Sequence, residues 1–273
     1  MRKNDDDASW QVLEDWLLET NDPRARLVRL EKAHRSTALA LVELAPLLLG
    51  PHAADIEAHE WRAGFARRAI IRTSDLEDAP ALAFVRDVTL RFDAAPTHGV
   101  SALGSQVESI AIEFRRAGPI DASMLGSLAQ LTRLRVRGPL EHIDHLACVP
   151  SLESLELEVP TRAVAETIRR NPLSHLRRLT IATGTLLYPW TGVFDRLFDG
   201  TSAPNLEELH LDAAPTSGNL DFLRDLAQSR LGARLRRLSL AGTECSPQML
   251  QRFGRSIATT RDAPLREVVG TPR

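Results

Sequence analysis

The chain has 273 residues, 43% hydrophobic and 26% charged, enough for one large domain or two smaller ones with a substantial core. Its 34 basic and 36 acidic side chains leave a formal charge of −2, which provides no general attraction to nucleic acid or to an anionic membrane surface. Cys148 and Cys245 are too few for a disulfide framework or a zinc site. The N-terminal stretch MRKNDDDASW lacks the apolar segment of a secretion signal, and the apolar run 38–50 is interrupted by Glu43 and Pro46 and is too short to span a bilayer. The expected compartment is the cytoplasm.

After a polar stretch over residues 1–7, Ser9 is placed to cap a helix carrying Trp10, Leu13, Trp16 and Leu17 at helical spacing, with Trp10 and Trp16 expected in the core. Asn21-Asp22-Pro23 ends it. Asp22 and Pro23 suit the cap and first position of a second helix, with Leu27, Leu30, Ala33 and Ala38 on one face, running with or without a break to Leu44. Residues 53–59 read as one more short helical segment, so that 8–60 form a small helical unit.

The stretch Leu13-Glu-Asp-Trp-Leu-Leu-Glu-Thr-Asn-Asp-Pro-Arg-Ala-Arg-Leu-Val-Arg-Leu-Glu31 resembles the bacterial repeat-companion domain, with its DWL…GDPRGE-like core. Trp61-Arg-Ala-Gly-Phe65 resembles the tryptophan–glycine–phenylalanine junction that often follows it. Asn21 and Ala25 replace two glycines of the family pattern. The resemblance covers about residues 9–65 and implies a helical module placed before leucine-rich repeats, as in myxobacterial and planctomycete-type proteins; it implies no activity.

From residue 66 an LxxLxL pattern recurs. After an irregular Ala69–Ile71, copies begin at residues 85, 107, 131, 152, 176, 206 and 235, with a truncated one at 265. The clearest are Leu131-Thr-Arg-Leu-Arg-Val136, Leu152-Glu-Ser-Leu-Glu-Leu157, Leu176-Arg-Arg-Leu-Thr-Ile181, Leu206-Glu-Glu-Leu-His-Leu211 and Leu235-Arg-Arg-Leu-Ser-Leu240. This is the pattern of a leucine-rich repeat: positions 4 and 6 share one face of a short strand, and stacked copies bury a core that no copy could bury alone. The expected fold is α/β: a right-handed solenoid of seven or eight parallel strands in a curved sheet, with helices on the convex side and a helical N-terminal cap. The domains are expected at 1–65 and 66–273. The longer intervals after residue 176 leave room for full return helices, and Gly192–Phe198, Leu220–Ser229 and Pro247–Thr259 are candidates, with Thr161–Arg170 a fourth. The asparagine or cysteine that often follows the strand is replaced by Asp93, Arg115, Pro139, Pro160, Gly184, Ala214 and Thr243, which leaves the curvature open.

Phosphate-binding loops, dinucleotide fingerprints, nucleophile elbows and HExxH are absent from the sequence, so no enzyme activity and no cofactor are expected. His142, His145 and Cys148 could converge on one helix face, but they read as surface histidines and a small apolar packer, and no metal is expected. The positions facing away from the leucines are more informative. Arg133, Arg135, Glu156, Arg178, Glu208, His210 and Arg237 alternate in sign from strand to strand on the expected concave face, and 135/156 and 178/208 are natural cross-strand pairs. They can set register and solubility, or form a mixed-charge recognition surface. Tyr188 and Trp190 in the following rim loop are candidate interface anchors, although Trp190 can instead cover Phe194 and Leu197 of its own helix. The functional expectation is a protein-binding scaffold with a protein partner and no nucleic acid, membrane or small-molecule substrate. The alternatives are an inhibitor or immunity-type protein that blocks an enzyme, or a structural subunit of a larger assembly. The final strand at Leu265–Val269 is the runner-up contact edge.

Overall fold

The computed structural model describes residues 7–72, 80–92, 103, 106–114, 125, 128–137, 146, 149–158, 168, 173–182, 194–212, 219–241 and 267–271. Its frame is a single ten-stranded sheet whose spatial order is its chain order. The strands are β1 (Ile56–Arg62), β2 (Phe65–Ile71), β3 (Asp87–Phe92), β4 (Ser109–Phe114), β5 (Arg133–Arg137), β6 (Ser154–Glu158), β7 (Arg178–Ile181), β8 (Glu208–Asp212), β9 (Arg237–Ala241) and β10 (Glu267–Thr271). β1 and β2 are antiparallel, and every later pairing is parallel. The fold is thus a mixed α/β repeat arrangement with a mostly parallel sheet. Among the described residues nine strands, one or two more than expected, share the parallel array.

Register follows from the pattern, because a slip of one residue would turn every leucine to the wrong face. Ala69, Val88, Ile110, Leu134, Leu155, Leu179, Leu209, Leu238 and Val268 are successive Cα partners, and Ile71, Leu90, Ile112, Val136, Leu157, Ile181, Leu211 and Leu240 form a second row. Leu134, Leu155, Leu179, Leu209 and Leu238, expected in the core, are all buried there.

The strands start two residues later than the motif does. In five copies the first apolar residue closes a turn: Val85, Leu131, Leu152, Leu176 and Leu206 donate their N–H to the carbonyls of Leu82, Leu128, Val149, Leu173 and Ala203. These residues are buried too, so β3, β5, β6, β7 and β8 are each preceded by an apolar turn that extends the core. At strand entry one carbonyl accepts two N–H groups from the next copy. Glu108 O takes those of Thr132 and Arg133, Thr132 O those of Glu153 and Ser154, Glu153 O those of Arg177 and Arg178, and so on to Glu207 O. Backbone satisfies backbone at this end of the sheet. The seven positions where an asparagine ladder was sought lie outside the described residues.

Three helices precede the sheet: α1 (Asp7–Glu19), α2 (Ala25–Lys32) and α3 (Ala38–Leu49). Several expectations fail here. Ser9 lies inside α1 and does not cap it, and Trp16 is 51% exposed while Trp10 is buried. The Trp16 and Leu17 positions lie about 100° apart on the helix, so a face that buries Leu17 turns Trp16 outward. α2 opens at Ala25 behind Arg24 and has no side-chain cap; the Asp22 carboxylate is occupied by Arg24, accepting from its backbone N–H at 2.9 Å and from its guanidinium at 2.7 Å. Residues 33–37 separate α2 from α3, so Ala38 begins the latter helix. Of the segment 53–59, residues 53–55 end a 3₁₀ helix over Gly50–Asp55, while 56–59 are not helical and open β1.

The β1–β2 hairpin turns at Ala63 and Gly64, both with positive φ, at 50° and 75°. Two left-handed residues are what a two-residue hairpin between right-twisted strands requires. The α1–α2 unit holds this turn. Glu31 accepts the Ala63 N–H at 3.0 Å, the Arg24 guanidinium stands over the Phe65 ring at 4.5 Å, and Trp10, Phe65 and Phe84 pack together with the Arg62 and Arg67 guanidinium groups over Trp10. Burial pushes the Glu31 carboxyl above its ordinary range, against the opposing hydrogen bond from Ala63. A boundary between residues 65 and 66 falls inside β2. Leu27 of α2 and Ala40, Leu48 and Leu49 of α3 join the same apolar cluster as the leucine rows.

The candidate helices of the C-terminal half are α4 (Phe194–Phe198), α5 (Asn219–Gln228) and α6 (Arg230–Arg234), the last capped by Ser229, whose hydroxyl accepts the Gly232 N–H. Pro247–Thr259 lies outside the described residues, as does Thr161–Arg170 except for the buried Ile168.

Candidate functional site: the charged face of the sheet

The period of two that buries the leucines points the intervening residues to the other face. Along β5 buried Leu134 and Val136 alternate with exposed Arg133, Arg135 and Arg137; along β6 Leu155 and Leu157 alternate with half-buried Ser154, Glu156 and Glu158. Parallel register arranges these residues in rows across the strands. The first row is Arg68, Asp87, Ser109, Arg133, Ser154, Arg178, Glu208 and Arg237. The second, one pleat further on, contains Thr89, Ala111, Arg135, Glu156, Thr180, His210 and Ser239, and the third contains Arg91, Glu113, Arg137 and Glu158.

Strand spacing of about 4.8 Å brings side chains of adjacent strands within ion-pair reach. Arg91 pairs with Glu113 at 2.8 Å, Arg137 with Glu158 at 2.9 Å, and Arg135 with Glu156 at 3.0 Å and Glu158 at 3.7 Å. Arg178 forms a two-pronged contact with Glu208, Nε to Oε2 at 2.7 Å and Nη2 to Oε1 at 3.2 Å, with His210 Nε2 at 3.5 Å from the same carboxylate. The hydrogen bond to Arg178 holds the Glu208 carboxyl below its usual value and raises the guanidinium in return. Both pairs expected from the sequence, 135/156 and 178/208, are formed.

Of the nine residues singled out in the sequence, seven therefore share one face: Arg133, Arg135, Glu156, Arg178, Glu208, His210 and Arg237. Arg237 is half-buried and stands beside Glu208 in register. Tyr188 and Trp190 lie outside the described residues, as do His142, His145 and Cys148. The sequence reading missed the N-terminal end of this face, where Arg68 bridges Glu60 at 2.8 Å and Asp87 at 3.4 Å. The signal was present, since Arg68 and Asp87 each stand one residue before an inward apolar position: β2 is too irregular to match LxxLxL, whereas Asp87 is the third residue of the copy that begins at 85.

Among the described residues no cluster of histidine, cysteine and carboxylate side chains could hold a metal ion, and no helix is long and apolar enough to cross a membrane. A small pocket of about 160 Å³ is lined by Leu146, Val149, Pro150, Leu152, Leu173, Ser174 and His175, none of which belongs to the charged rows.

No family model matches this chain, and no curated protein matches it. Solved structures similar to it include the crystal structure of a protein from Bacteroides fragilis, with a TM-score of 0.45 and 14% sequence identity over 65% of this chain. The aligned region spans 57% of the length of that protein.

Proposed function

We propose that this chain is a non-enzymatic interaction scaffold of the leucine-rich-repeat type, right-handed and capped by its N-terminal helices, which holds a protein partner on the charged, concave face of its sheet. One observation carries this reading. The sheet buries an unbroken apolar face and presents on the other three registered rows of side chains of both signs. A stack of short strands gives such a face a length that grows with every copy, which suits it to an extended macromolecular contact. Charges fixed by cross-strand pairs are also pre-positioned, so a complementary partner orders few side chains on docking. Tyr188 and Trp190 are the proposed aromatic anchors at its rim.

The test is binding by folded variants. The partner is captured on the immobilised chain from its native cells, and then titrated with wild type and with an Arg178→Glu, Arg237→Glu double variant of unchanged circular dichroism. Reversing two charges on the face is expected to slow association and to weaken binding by about tenfold or more. Unchanged binding would move the contact to the helical unit or to the edge at β10.

A further inference from the structure

The ion pairs of the charged face leave one arginine of β5 unmatched. Arg135 and Arg137 each have a glutamate from β6, whereas the register partners of Arg133 are Ser109 on one side and Ser154 on the other. Arg133 is exposed, and no carboxylate pairs with it among the described residues. Two-residue spacing along β5 also places Arg135 on the same face, about 7 Å away. Glu156 already pairs with Arg135, so the charge left unmatched on β5 is that of Arg133. The short serine side chains leave the guanidinium fork open, and their hydroxyls flank it as further donors.

We infer that Arg133, flanked by Ser109 and Ser154, is the anchoring point for a carboxylate of an acidic protein segment. This rests on the sheet face being the docking surface, and it specifies the chemistry of the partner. The other arginines of the face with a glutamate in place would have to release it before binding an incoming acid, and the gain would be offset by the charge left behind. Arg133 breaks no ion pair. A carboxylate can accept two parallel N–H bonds from its guanidinium and a hydroxyl from either serine.

The probe is a decaglutamate peptide carrying a fluorophore and a terminal photo-crosslinker, titrated against the intact chain by anisotropy. Arg133→Gln is expected to weaken binding by about tenfold, and Arg230→Gln, which removes an exposed arginine from α6, by less than about twofold. Crosslinks are expected on β4–β6. Equal losses in the two variants, or no binding by wild type, would overturn the inference, as would tighter binding of an oligonucleotide of equal charge. Crosslinks on the sheet face with Arg133→Gln unaffected would overturn the role of Arg133 and leave the docking face standing. Crosslinks confined to α1–α3 would overturn both.

Discussion

The repeat sheet and the helical–hairpin junction that precedes it are stabilised in different ways. In the sheet one arrangement recurs: a shared entry carbonyl, two inward aliphatic residues and outward polar or charged ones, in most copies behind an apolar turn. At the junction each contact occurs once, as with Asp22 and Arg24, Glu31 and Ala63 N–H, or Trp10 and Phe65. The sheet spreads its stability over many similar rows, so that loss of one is local. The junction concentrates it in a few contacts among Trp10, residues 22–31 and residues 62–65.

Substitutions can sharpen that contrast. The largest effect is expected in the leucine rows: Leu209→Ala should destabilise by about 2–5 kcal/mol in urea unfolding, since it leaves a cavity between Leu179 and Leu238. Next comes Gly64→Ala. Its Cβ would stand 2.6 Å from Arg24 Cγ, at a φ of 75° that disfavours any side chain. A loss of about 1–3 kcal/mol is expected. Arg24→Ala removes the closest atom and leaves its own Cβ at 3.0 Å, which relieves the collision, so the double variant should lose less than the sum of the two single changes. Additivity would show that Arg24 does not press on the turn.

Glu31→Ala removes the acceptor of a fully buried backbone N–H and should cost about 1–2 kcal/mol, whereas Glu31→Gln keeps an acceptor and should cost less. The two regions also differ in sign with pH. The Glu31 carboxyl is raised by burial, so the stability linked to its titration is present below the unfolded value and is lost as pH rises through the folded one. Glu31→Gln should accordingly gain on wild type as pH rises. Glu208 is lowered by Arg178, so its contribution is present above the unfolded carboxylate value and is lost as pH falls through the folded one. That pair is half-exposed and worth only about 0–1 kcal/mol, the smallest effect in the series. Chemical denaturation of Glu31→Gln and Glu208→Gln across the acid range should give slopes of opposite sign relative to wild type, and equal slopes would refute the assignment.

The same contrast decides what the sequence made legible. Seven residues of the charged face and five core leucines could be placed because period two, repeated at 21–30 residue intervals, leaves one register. Nothing of the kind specifies the hairpin. Ile56–Arg62 carries Glu57, His59 and Glu60 between its apolar residues, and its strand character comes from pairing with β2 rather than from local propensity. Ala63-Gly64 was the available turn signal. Trp16 was misplaced because spacing identifies an apolar face without showing where that face ends. The apolar turns before the strands were legible in retrospect, since Leu125, Leu128 and Leu131 continue the leucine pattern backwards at intervals of three.

The charged rows recur as the core does, and the central claim is that their exposed face is where a partner sits. Carboxyl footprinting of the chain, free and bound to its captured partner, tests this most directly. Glu156, Glu158 and Glu208 on the sheet face should lose reactivity on binding, while Glu19 and Glu43 on α1 and α3 keep theirs. Protection of the helix carboxylates with the sheet face unchanged would contradict it.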